Sequence, residues 1–578
     1  MTGAEIIIDM LIAQGIQRLY VFPGGTIAPL MDVAKQRGLE IFCARHEQGA
    51  GYAALAAARL SGQPQVVMVT SGPGVTNVIT TIADAYYDST PLLLLTGQVG
   101  TADLCRDLPL RQRGFQEVDT LSLLCSVTKA QFLVEETAHV LATMTEAYSL
   151  TVAGRAGPVV VDLPMNVQRT PIGTNVSAVK AIDSEHNTLT SGNNDRAGMS
   201  RRALSHETAQ LAAWLSEAKR PVIIAGQGVL LSRADTLLRQ IVSQYSIPVS
   251  HSLLGLGAIS SASGLSLGFH GHTGNQVAGK AIQQADLVIA VGSRLDVRQT
   301  GNCYDAFVPD GKVVRIDLDH AEVECSRIRT DLFINADASL ALTALYTELQ
   351  SHEIPDCVGW RKQIEQWRRD YKLTYRQDGP LKPQYVIECL SDISHGRQVV
   401  CVTGVGSHQH WVARHFSFDF PTRRLLTSGG HGAMGYDLPS AVGAQLHNPD
   451  ALVLCVVGDG SLQLNIQELA SVAEHQLPVK IIVIDNHRLG IVSQFQQWNW
   501  QDDPTTGHKW NPDFAAIAKA YGLASFHLSD ASDVKSVLSQ ALTHDGPALV
   551  HCVVDEAEDI VPMLMAGQTL DKMWPYDE

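Results

Sequence analysis

The stretch ALVLCVVGDGSLQLNIQELASVAEHQLPVKIIVIDNHRLG, residues 451–490, predicts one βαβ unit. Its two apolar runs, 451–458 and 479–485, are short and rich in β-branched residues, which is typical of parallel strands buried on both faces. The residues between them have a helical pattern. Polar side chains follow the two runs at Asp459 and Asn486. Because neighbouring parallel strands end at the same edge of a sheet, we expect these two side chains to lie beside each other.

The same two residues predict a metal–diphosphate site. Mg²⁺ prefers oxygen ligands in near-octahedral geometry and usually shares them with substrate phosphates. The Asp459 carboxylate, the Asn486 amide oxygen and one backbone carbonyl would leave room for two phosphate oxygens and water. Gly458 and Gly460 would let backbone N–H groups approach a phosphate without a Cβ in the way. The alternative, a Gly-Asp-Gly sequence that only makes a tight turn, is disfavoured by the pairing of the two strand ends.

Short β-branched runs alternate with longer amphipathic stretches along the whole chain, which predicts an α/β fold. Two polar stretches interrupt the alternation, a linker at 171–205 and a charged segment with a helix at 350–379. If these two stretches separate domains, the chain contains three doubly wound parallel-sheet domains, at 1–170, 206–349 and 380–578. The runs that we interpret as buried strands are 65–70, 91–97, 157–164, 221–226, 285–292, 312–317, 451–458 and 479–485.

Composition excludes several classes of protein. The 578 residues include 43 basic and 59 acidic side chains, a net charge of −16, which disfavours binding to nucleic acid or to an anionic membrane. The ten cysteines form no CxxC pair, the N-terminus lacks a basic region typical of a signal peptide, and no apolar run is long enough to cross a bilayer. We therefore expect a cytoplasmic protein with reduced thiols.

Several motifs together resemble the acetohydroxyacid synthase (acetolactate synthase) family, whose members use thiamine diphosphate (ThDP). A GDG followed by an Asn-Asn pair is the ThDP signature, and this chain has Asp485-Asn486 at the pair. The resemblance covers nearly the whole chain and implies a pyrimidine-binding, a central FAD-type and a diphosphate-binding domain. The other motifs that carry it are VFPGG (21–25), ARHEQGAGYAA (44–54), VTSGPGVTNVITTIADAYYDSTPLLLLTGQV (69–99), GFQE (114–117), TGVGSHQHW (403–411) and TSGGHGAMGYDLPSAVGA (427–444).

The resemblance implies roles for individual residues. Glu47 would hydrogen-bond the aminopyrimidine ring and so promote removal of the C2 proton of ThDP. Asp459, Asn486 and the backbone carbonyl of Arg488 would bind Mg²⁺, and Met434 would hold ThDP in its bent conformation. The remaining residues implied are catalytic Phe115 and Gln116, with ThDP contacts at Gly24, Gly25, Gly406, His408, Gly432, Gly458, Gly460, Ser461, Gly490 and Ile491.

The middle domain resembles the flavin domain of the same family, in which FAD is largely structural. Its motifs are PVIIAGQGV (221–229), GFHGHTGN (268–275), VGSRLDVRQTG (291–301) and RIDLDH (315–320). None is a complete GxGxxG fingerprint, so spacing alone is weak evidence for a dinucleotide, and an empty flavin-like domain is the alternative. The FAD contacts that the resemblance implies are Arg155, Gly226, Gly228, Arg294, Asp317 and Asp337.

Two departures from the family pattern fall near the substrate entrance. The usual LPKDV is Leu163-Pro164-Met165-Asn166-Val167 here, and the usual GMVxQW ends in Phe495 instead of Trp. The implied substrate-pocket residues are Met165, Val492 and Phe495. These departures do not affect the residues implied in decarboxylation of pyruvate. They bear on the second half of the reaction and leave the identity of the acceptor open.

The predicted function is a carboligase, a transferase that decarboxylates pyruvate and passes the two-carbon unit to a carbonyl acceptor. A nucleotide-linked keto sugar as acceptor, a pyruvate oxidase-type flavin enzyme and a non-enzymatic relative remain alternatives. The resemblance also implies an active site between two subunits, with Glu47 of one facing the diphosphate site of the other. We therefore expect a homodimer or homotetramer.

Overall fold

Three parallel six-stranded sheets organise the chain, and the predicted α/β fold class is confirmed. The computed structural model describes residues 1–106, 108–172, 194–500, 507 and 510–576, with only the backbone for 194–203. Each of the eight apolar runs identified in the sequence forms a strand. Among the described residues, no helix combines the length and apolarity that a membrane span requires.

The first sheet is covered by helices that begin after the carboxyl ends of its strands. Its elements are α1 (Gly3–Ala13), β1 (Arg18–Val21), α2 (Ala28–Gln36), β2 (Glu40–Cys43), α3 (Glu47–Ser61), β3 (Gln65–Val69), α4 (Pro73–Tyr87), β4 (Leu92–Gln98), α5 (Thr120–Leu124), β5 (Ala130–Leu133), α6 (Val140–Val152), β6 (Val159–Pro164) and α7 (Met165–Arg169). The strand order is β2-β1-β3-β4-β6-β5, and every pair is parallel.

The second sheet has the strand order of dinucleotide-binding folds. Its elements are α8 (Asn194–Glu217), β7 (Pro221–Ala225), α9 (Gln227–Leu231), α10 (Asp235–Tyr245), β8 (Val249–His251), β9 (Ser266–Phe269), α11 (Gln276–Gln283), β10 (Leu287–Val291), α12 (Val297–Thr300), β11 (Lys312–Asp317), α13 (His320–Glu324), β12 (Leu332–Asn335) and α14 (Ala338–Leu349). The order β12-β11-β10-β7-β8-β9 reverses direction between β7 and β10, where such folds bind ligands.

The third sheet repeats the topology of the first. It is preceded by α15 (Val358–Asp370), and its elements are α16 (Pro383–Ile393), β13 (Val399–Thr403), α17 (Ser407–His415), β14 (Arg423–Leu426), α18 (Asp437–His447), β15 (Leu452–Gly458), α19 (Asp459–Leu464), α20 (Leu469–Glu474), β16 (Lys480–Asp485), α21 (Gly490–Trp500), α22 (Phe514–Ala520), β17 (Ala524–Leu528), α23 (Val534–Thr543) and β18 (Ala548–Val553). The order is β14-β13-β15-β16-β18-β17, and a short antiparallel ribbon, β19 (Met563–Leu564) and β20 (Met573–Trp574), follows.

The two predicted linkers contain helices. In the charged segment 350–379, α15 buries Trp360, Ile364 and Trp367 in the core of the second domain. In the predicted linker 171–205, α8 begins at Asn194, so the last part of that segment is helical although its sequence lacks hydrophobic periodicity. Residues 173–193 lie outside the described residues.

Small residues bring the first and third domains together. Helix α3 is rich in alanine and glycine and packs against α18, and both helices contribute to one hydrophobic core. A Cβ on Gly443 would lie 2.0 Å from the carbonyl oxygen of Ala53, so only glycine permits this approach. The apolar faces of two sheets therefore share a single core instead of facing solvent.

All three domains meet at Asp88, which follows the end of α4. Its carboxylate accepts hydrogen bonds from Arg59 Nη2 at 2.5 Å and from the backbone N–H groups of Gly429 and Gly430 at 2.8 and 2.7 Å. The Asp88 carbonyl oxygen accepts from Gln227 Nε2 at 3.0 Å. A buried charge with this many donors is compensated, whereas an unpaired one would be strongly destabilising.

Asp84 should make stability depend on pH. It is fully buried near Asp88, and burial, reinforced by the Asp88 charge, raises the pKa of Asp84 to about 7 against the opposing effect of Arg59. The folded state therefore favours the neutral acid, and this group costs stability as pH rises from about 4 to about 7. Asp84→Asn, which stays neutral, should raise the melting temperature by about 2–5 °C at pH 8 and by less at pH 5.

The matched variant is Asp88→Asn. It removes the charge that pairs with Arg59, so we expect a lower melting temperature at both pH values. An Asp84→Asn effect of equal size at pH 5 and pH 8 would contradict the titration of Asp84.

Candidate functional site

Three helices begin around one point at the carboxyl edge of the third sheet. A Cβ on Gly490, the first residue of α21, would lie 2.5 Å from Ser407 Oγ at the start of α17. A Cβ on Gly458, which precedes α19, would lie 2.9 Å from the ring of His408 in α17. Helix N-termini present unpaired N–H groups and partial positive charge, so their convergence forms a cradle for an anion such as a diphosphate.

A buried carboxylate orients the polar side chains of this cradle. Asp437 Oδ1 lies 3.2 Å from His408 Nε2, and Asp437 also accepts hydrogen bonds from the Ser461 hydroxyl and the Gly404 N–H. The Ser461 oxygen accepts in turn from the Gly435 N–H at 2.9 Å. His408 and Ser461, both predicted ThDP contacts, are thus held by the same residue.

The other glycines predicted near ThDP lie at sheet edges or helix starts. Gly406 has φ 145°, which favours glycine, and it immediately precedes α17. Gly460 is the second residue of α19. Gly24 and Gly25 follow β1 in the first sheet, and a Cβ on Gly24 would lie 2.3 Å from the side chain of Thr70. The missing side chain of Gly24 therefore makes room for Thr70, and the backbone conformation of Gly406 favours glycine before α17.

The structure places the predicted metal ligands on neighbouring strands. Asp459 follows β15 and Asn486 follows β16, two parallel strands with Gly458 opposite Ile484. Both side chains are buried. The carboxylate, the amide oxygen and the backbone carbonyl of Arg488 are oxygen donors of the kind that Mg²⁺ prefers, so the donor set fits this ion.

The charge of Arg488 is neutralised away from those donors. Its guanidinium donates to Asp559 Oδ1 at 2.9 Å and to the Glu558 carbonyl at 3.3 Å in the segment before the C-terminal ribbon. The same segment is joined to α21, because Gln494 and Ile560 exchange two hydrogen bonds of 2.9 Å. These hydrogen bonds connect the segment after β18 to the residues that follow β16.

Two residues near the metal ligands were missed by the sequence reasoning. Asn511 Nδ2 donates to Asp459 Oδ2 at 2.7 Å and to Asp485 Oδ1 at 2.8 Å. His551 Nε2 donates to Asp485 Oδ2 at 2.8 Å. Burial opposes ionisation of Asp485, but the hydrogen bonds from His551 and Asn511 lower its pKa. Neither residue follows the β15 or β16 strand end, so no local motif identifies it.

Glu47 lies at the carboxyl edge of the first sheet, not of the third. It begins α3 after β2, is 4% exposed, and accepts a hydrogen bond of 3.0 Å from Asn77 Nδ2. His46 Nε2 lies 3.9 Å from its carboxylate. The chain thus presents a buried carboxylate on one sheet edge and the predicted metal ligands on another.

A buried carboxyl group anchors the loop that carries Phe115 and Gln116. Asp162 accepts hydrogen bonds from Thr96 Oγ1 at 2.7 Å and from Gln98 Nε2 at 3.0 Å, and the Gln98 amide also donates to the Val118 carbonyl. Burial raises the pKa of Asp162 to about 6. Phe115 is 86% exposed at the tip of the loop, and Gln116 has φ 64°.

The predicted substrate-pocket residues lie on two domains. Met165 begins α7 at the carboxyl edge of the first sheet. Val492 and Phe495 lie on α21 and are 43% and 54% exposed, and the Phe495 ring centroid lies 5.4 Å from that of Trp500. Val492, Phe495 and Trp500 are therefore available for contact with another molecule or subunit, whereas Ile491 and Trp498 pack against the core.

A cavity of about 590 Å³ opens where the strand order of the second sheet reverses. It extends to the third domain at Gly432 and Ile491, both predicted ThDP contacts, and Met434 follows as a half-buried residue. Burial lowers the pKa of His272 in its wall to about 4, so this side chain is neutral at pH 7. Of the predicted FAD contacts, the cavity is lined by Arg155, Gly228, Arg294, Asp317 and Asp337.

Gly226, also predicted to contact FAD, is not among the lining residues. Its N–H donates to the Val291 carbonyl at 2.9 Å, and a Cβ on it would lie 2.0 Å from the Gly292 carbonyl oxygen. The glycine is therefore required by the close approach of the chain after β7 to the chain after β10, and its N–H is already paired.

Comparisons with known proteins agree on one family. The models of thiamine pyrophosphate (ThDP) enzymes match with their N-terminal TPP-binding domain at 1–123, their central domain at 208–345 and their C-terminal TPP-binding domain at 404–552. The acetolactate synthase isozyme 2 large subunit of Escherichia coli is 36% identical over 99% of both chains. The Lactococcus lactis large subunit is 36% identical over 99% of this chain and 96% of its own length. The mitochondrial catalytic subunit of Saccharomyces cerevisiae is 34% identical over 100% and 84%.

Removing the Asp162 anchor should loosen the loop that carries Phe115. In Asp162→Ala, the hydrogen bonds to Thr96 and Gln98 are lost, at about 1 kcal/mol each, so open conformations of the loop should increase about fivefold or more. The measurement is limited proteolysis with trypsin, followed at Arg111 and Arg113 by mass spectrometry. The exposed loop variant Asp103→Asn is the control, and equal cleavage rates in the two variants would contradict the anchoring role.

Proposed function

We propose the activity of this chain from its family, because the chain belongs to the acetolactate synthase catalytic subunits within the thiamine pyrophosphate enzymes. It is a ThDP-dependent enzyme that forms carbon–carbon bonds. In the proposed reaction, it decarboxylates pyruvate and joins the two-carbon unit to a second carbonyl compound, which for pyruvate as acceptor yields 2-acetolactate.

The observation that carries this proposal is the convergence of three helix N-termini beside two oxygen ligands. Helices α17, α19 and α21 begin around Gly490 and Gly458, and Asp459 and Asn486 follow adjacent strands at the same edge. We propose that Asp459, Asn486 and the Arg488 carbonyl hold Mg²⁺, which would neutralise a diphosphate whose remaining charge the helix N-termini stabilise.

We propose Glu47 as the residue that activates ThDP. Bound ThDP would supply a thiazolium ring able to accept the electron pair released when CO₂ leaves pyruvate. Glu47 would contribute a carboxyl group held by Asn77 at a site that little water reaches, where it would bind and polarise the aminopyrimidine. Met434 and Gly432 would support the cofactor from the third domain.

The proposal assigns the acceptor site to two surfaces. Phe115 and Gln116 on their anchored loop, with Met165, would contribute from the first domain, and Val492 and Phe495 from α21. These side chains are on different domains, and Glu47 and the metal ligands lie on different sheet edges. The family resemblance implies an active site between two subunits, so we propose a homodimer or homotetramer in which the first domain of one subunit faces the third domain of its partner.

FAD is proposed for the middle domain. The cavity at the reversal point of the second sheet and the order β12-β11-β10-β7-β8-β9 support a dinucleotide there. Arg155 and Arg294 would be the cationic contacts and Asp317 and Asp337 the polar ones. Nothing in the cavity or among the relatives named favours flavin redox chemistry or a nucleotide-linked sugar as acceptor.

The direct test supplies the purified chain with ThDP, Mg²⁺, FAD and pyruvate. We expect release of CO₂ and formation of 2-acetolactate, identified by mass spectrometry, with 2-oxobutyrate and nucleotide-linked keto sugars offered in parallel reactions. Absence of CO₂ release under these conditions would contradict the proposed function.

Glu47→Gln should abolish activation of ThDP while leaving its binding site intact. The amide cannot exchange a proton with the aminopyrimidine, and proton transfer of this kind typically contributes 10²–10⁴-fold, so CO₂ release should fall about 100-fold or more. Deuterium exchange at C2 of bound ThDP, read by NMR after acid quenching, should slow equally. The control is Glu40→Gln, an exposed glutamate of the same domain, and unchanged C2 exchange in Glu47→Gln would refute the assignment.

Phe495→Trp should change the choice of acceptor. In related synthases, the tryptophan at this position favours 2-oxobutyrate, and one methylene in an apolar pocket is worth about 10–200-fold in discrimination. We expect the preference for 2-oxobutyrate over pyruvate as acceptor to rise about tenfold, measured by competition and mass spectrometry. The rate of CO₂ release from pyruvate is the internal control, and an unchanged product ratio would show that Phe495 does not contact the acceptor.

A further inference from the structure

One amide group lies between two carboxylates at the carboxyl edge of the third sheet. Asn511 precedes α22, and its Nδ2 donates to Asp459 Oδ2 at 2.7 Å and to Asp485 Oδ1 at 2.8 Å. Both oxygens lie within 2.8 Å of one nitrogen, so they cannot be farther apart than twice that distance. Asp459 and Asp485 are 2% and 1% exposed, so their oxygens depend on protein groups for hydrogen bonds.

The two hydrogens of the Asn511 amide match the two carboxylates. A primary amide has two N–H donors, and each can serve one of the two oxygens. Asp485 has further donors, because His551 Nε2 lies 2.8 Å from its Oδ2 and the His487 N–H lies 3.1 Å from its Oδ1. These donors bind both oxygens of Asp485 and so fix its orientation. Asn511 then links Asp459 to a carboxyl group that is already held in place.

The departure at position 485 explains why such a link is required. The ThDP signature has an asparagine at this position, whose amide N–H could itself donate to a neighbouring carboxylate. Asp485 has two oxygens in place of that amide, and in the structure both of them accept hydrogen bonds. Asn511 supplies donor hydrogens between the oxygens of Asp459 and Asp485, at the point where Asp459 would face a cation.

We propose that Asn511 is a positioning residue for the metal ligand Asp459: its amide bridges Asp459 to Asp485 and so keeps the Asp459 carboxylate in one orientation toward Mg²⁺. Residues that hydrogen-bond a ligating carboxylate commonly set metal affinity, and their loss typically costs 10–100-fold. Asn511 itself does not touch the substrate. This inference rests on the proposed function, because it presumes that Asp459 binds Mg²⁺.

The test measures metal binding independently of turnover. Mg²⁺ is titrated by calorimetry into the chain saturated with ThDP, for the wild type, Asn511→Ala, Asp485→Asn and the double variant. Asn499→Ala is the control, because Asn499 is an amide on α21 that donates to the Phe495 carbonyl. Circular dichroism and thermal unfolding report whether each variant is folded.

We expect Asn511→Ala to raise the Kd for Mg²⁺ about 10–100-fold. Asp485→Asn should bind nearly as well as the wild type, and in the double variant the new amide can donate directly to Asp459, so most of the lost affinity should return. An unchanged Kd in Asn511→Ala, or a double variant as weak as Asn511→Ala, would overturn the positioning role. A wild-type chain that binds no Mg²⁺ with ThDP would instead overturn the proposed function and this inference with it.

Discussion

The buried ion pair between Arg59 and Asp88 is the interaction on which the arrangement of the domains depends. Arg59 comes from α3 and donates to Asp88 and to the Thr427 carbonyl, and Asp88 in turn accepts from Gly429 and Gly430. Burying two charges costs several kcal/mol per ion, which is offset only when each has a full set of partners. Here the partners come from different domains, so the pair is satisfied only when the domains are docked.

The topology of the first and third sheets also bears on the proposed cofactor site. The first and third sheets have the same strand order, so each has a reversal point at which a ligand can lie beyond the strand ends. In the first sheet the segments at that point contain Gly24 and Gly25, and in the third they contain Gly406 and Gly458. A cofactor with a ring at one end and a diphosphate at the other requires two such edges. The two edges differ chemically among the described residues: the first presents the Glu47 carboxylate at the start of α3, and the third presents Asp459 and Asn486 beside the starts of α17, α19 and α21.

The carboxyl edge of the third sheet also shows how a departure from the family pattern is accommodated. Asp485 adds a negative charge beside Asp459, and Asn511 and His551 supply the donors that this charge requires. The second carboxylate is therefore part of a hydrogen-bonded network that extends across β15, β16 and β18. The departures at Met165 and Phe495 differ in kind, since we propose that these side chains contact the acceptor.

The sequence by itself determined the buried strands and the polar residues that follow them. Strands such as 451–458 and 479–485 were predictable because a strand buried on both faces must be a short apolar run, and Asp459 and Asn486 because parallel strands end at one edge. Asn511, His551 and Asp88 were not predictable, since a hydrogen bond between side chains from distant elements leaves no periodic signal in either segment. Gly226 is the opposite case. Its motif resembles a phosphate contact, but the structure accounts for the glycine by packing, because the backbone of Gly292 leaves no room for a Cβ. Local pattern thus determined strands and strand ends, and only the tertiary structure decided which polar groups meet there, because their distances depend on how the sheets and helices pack.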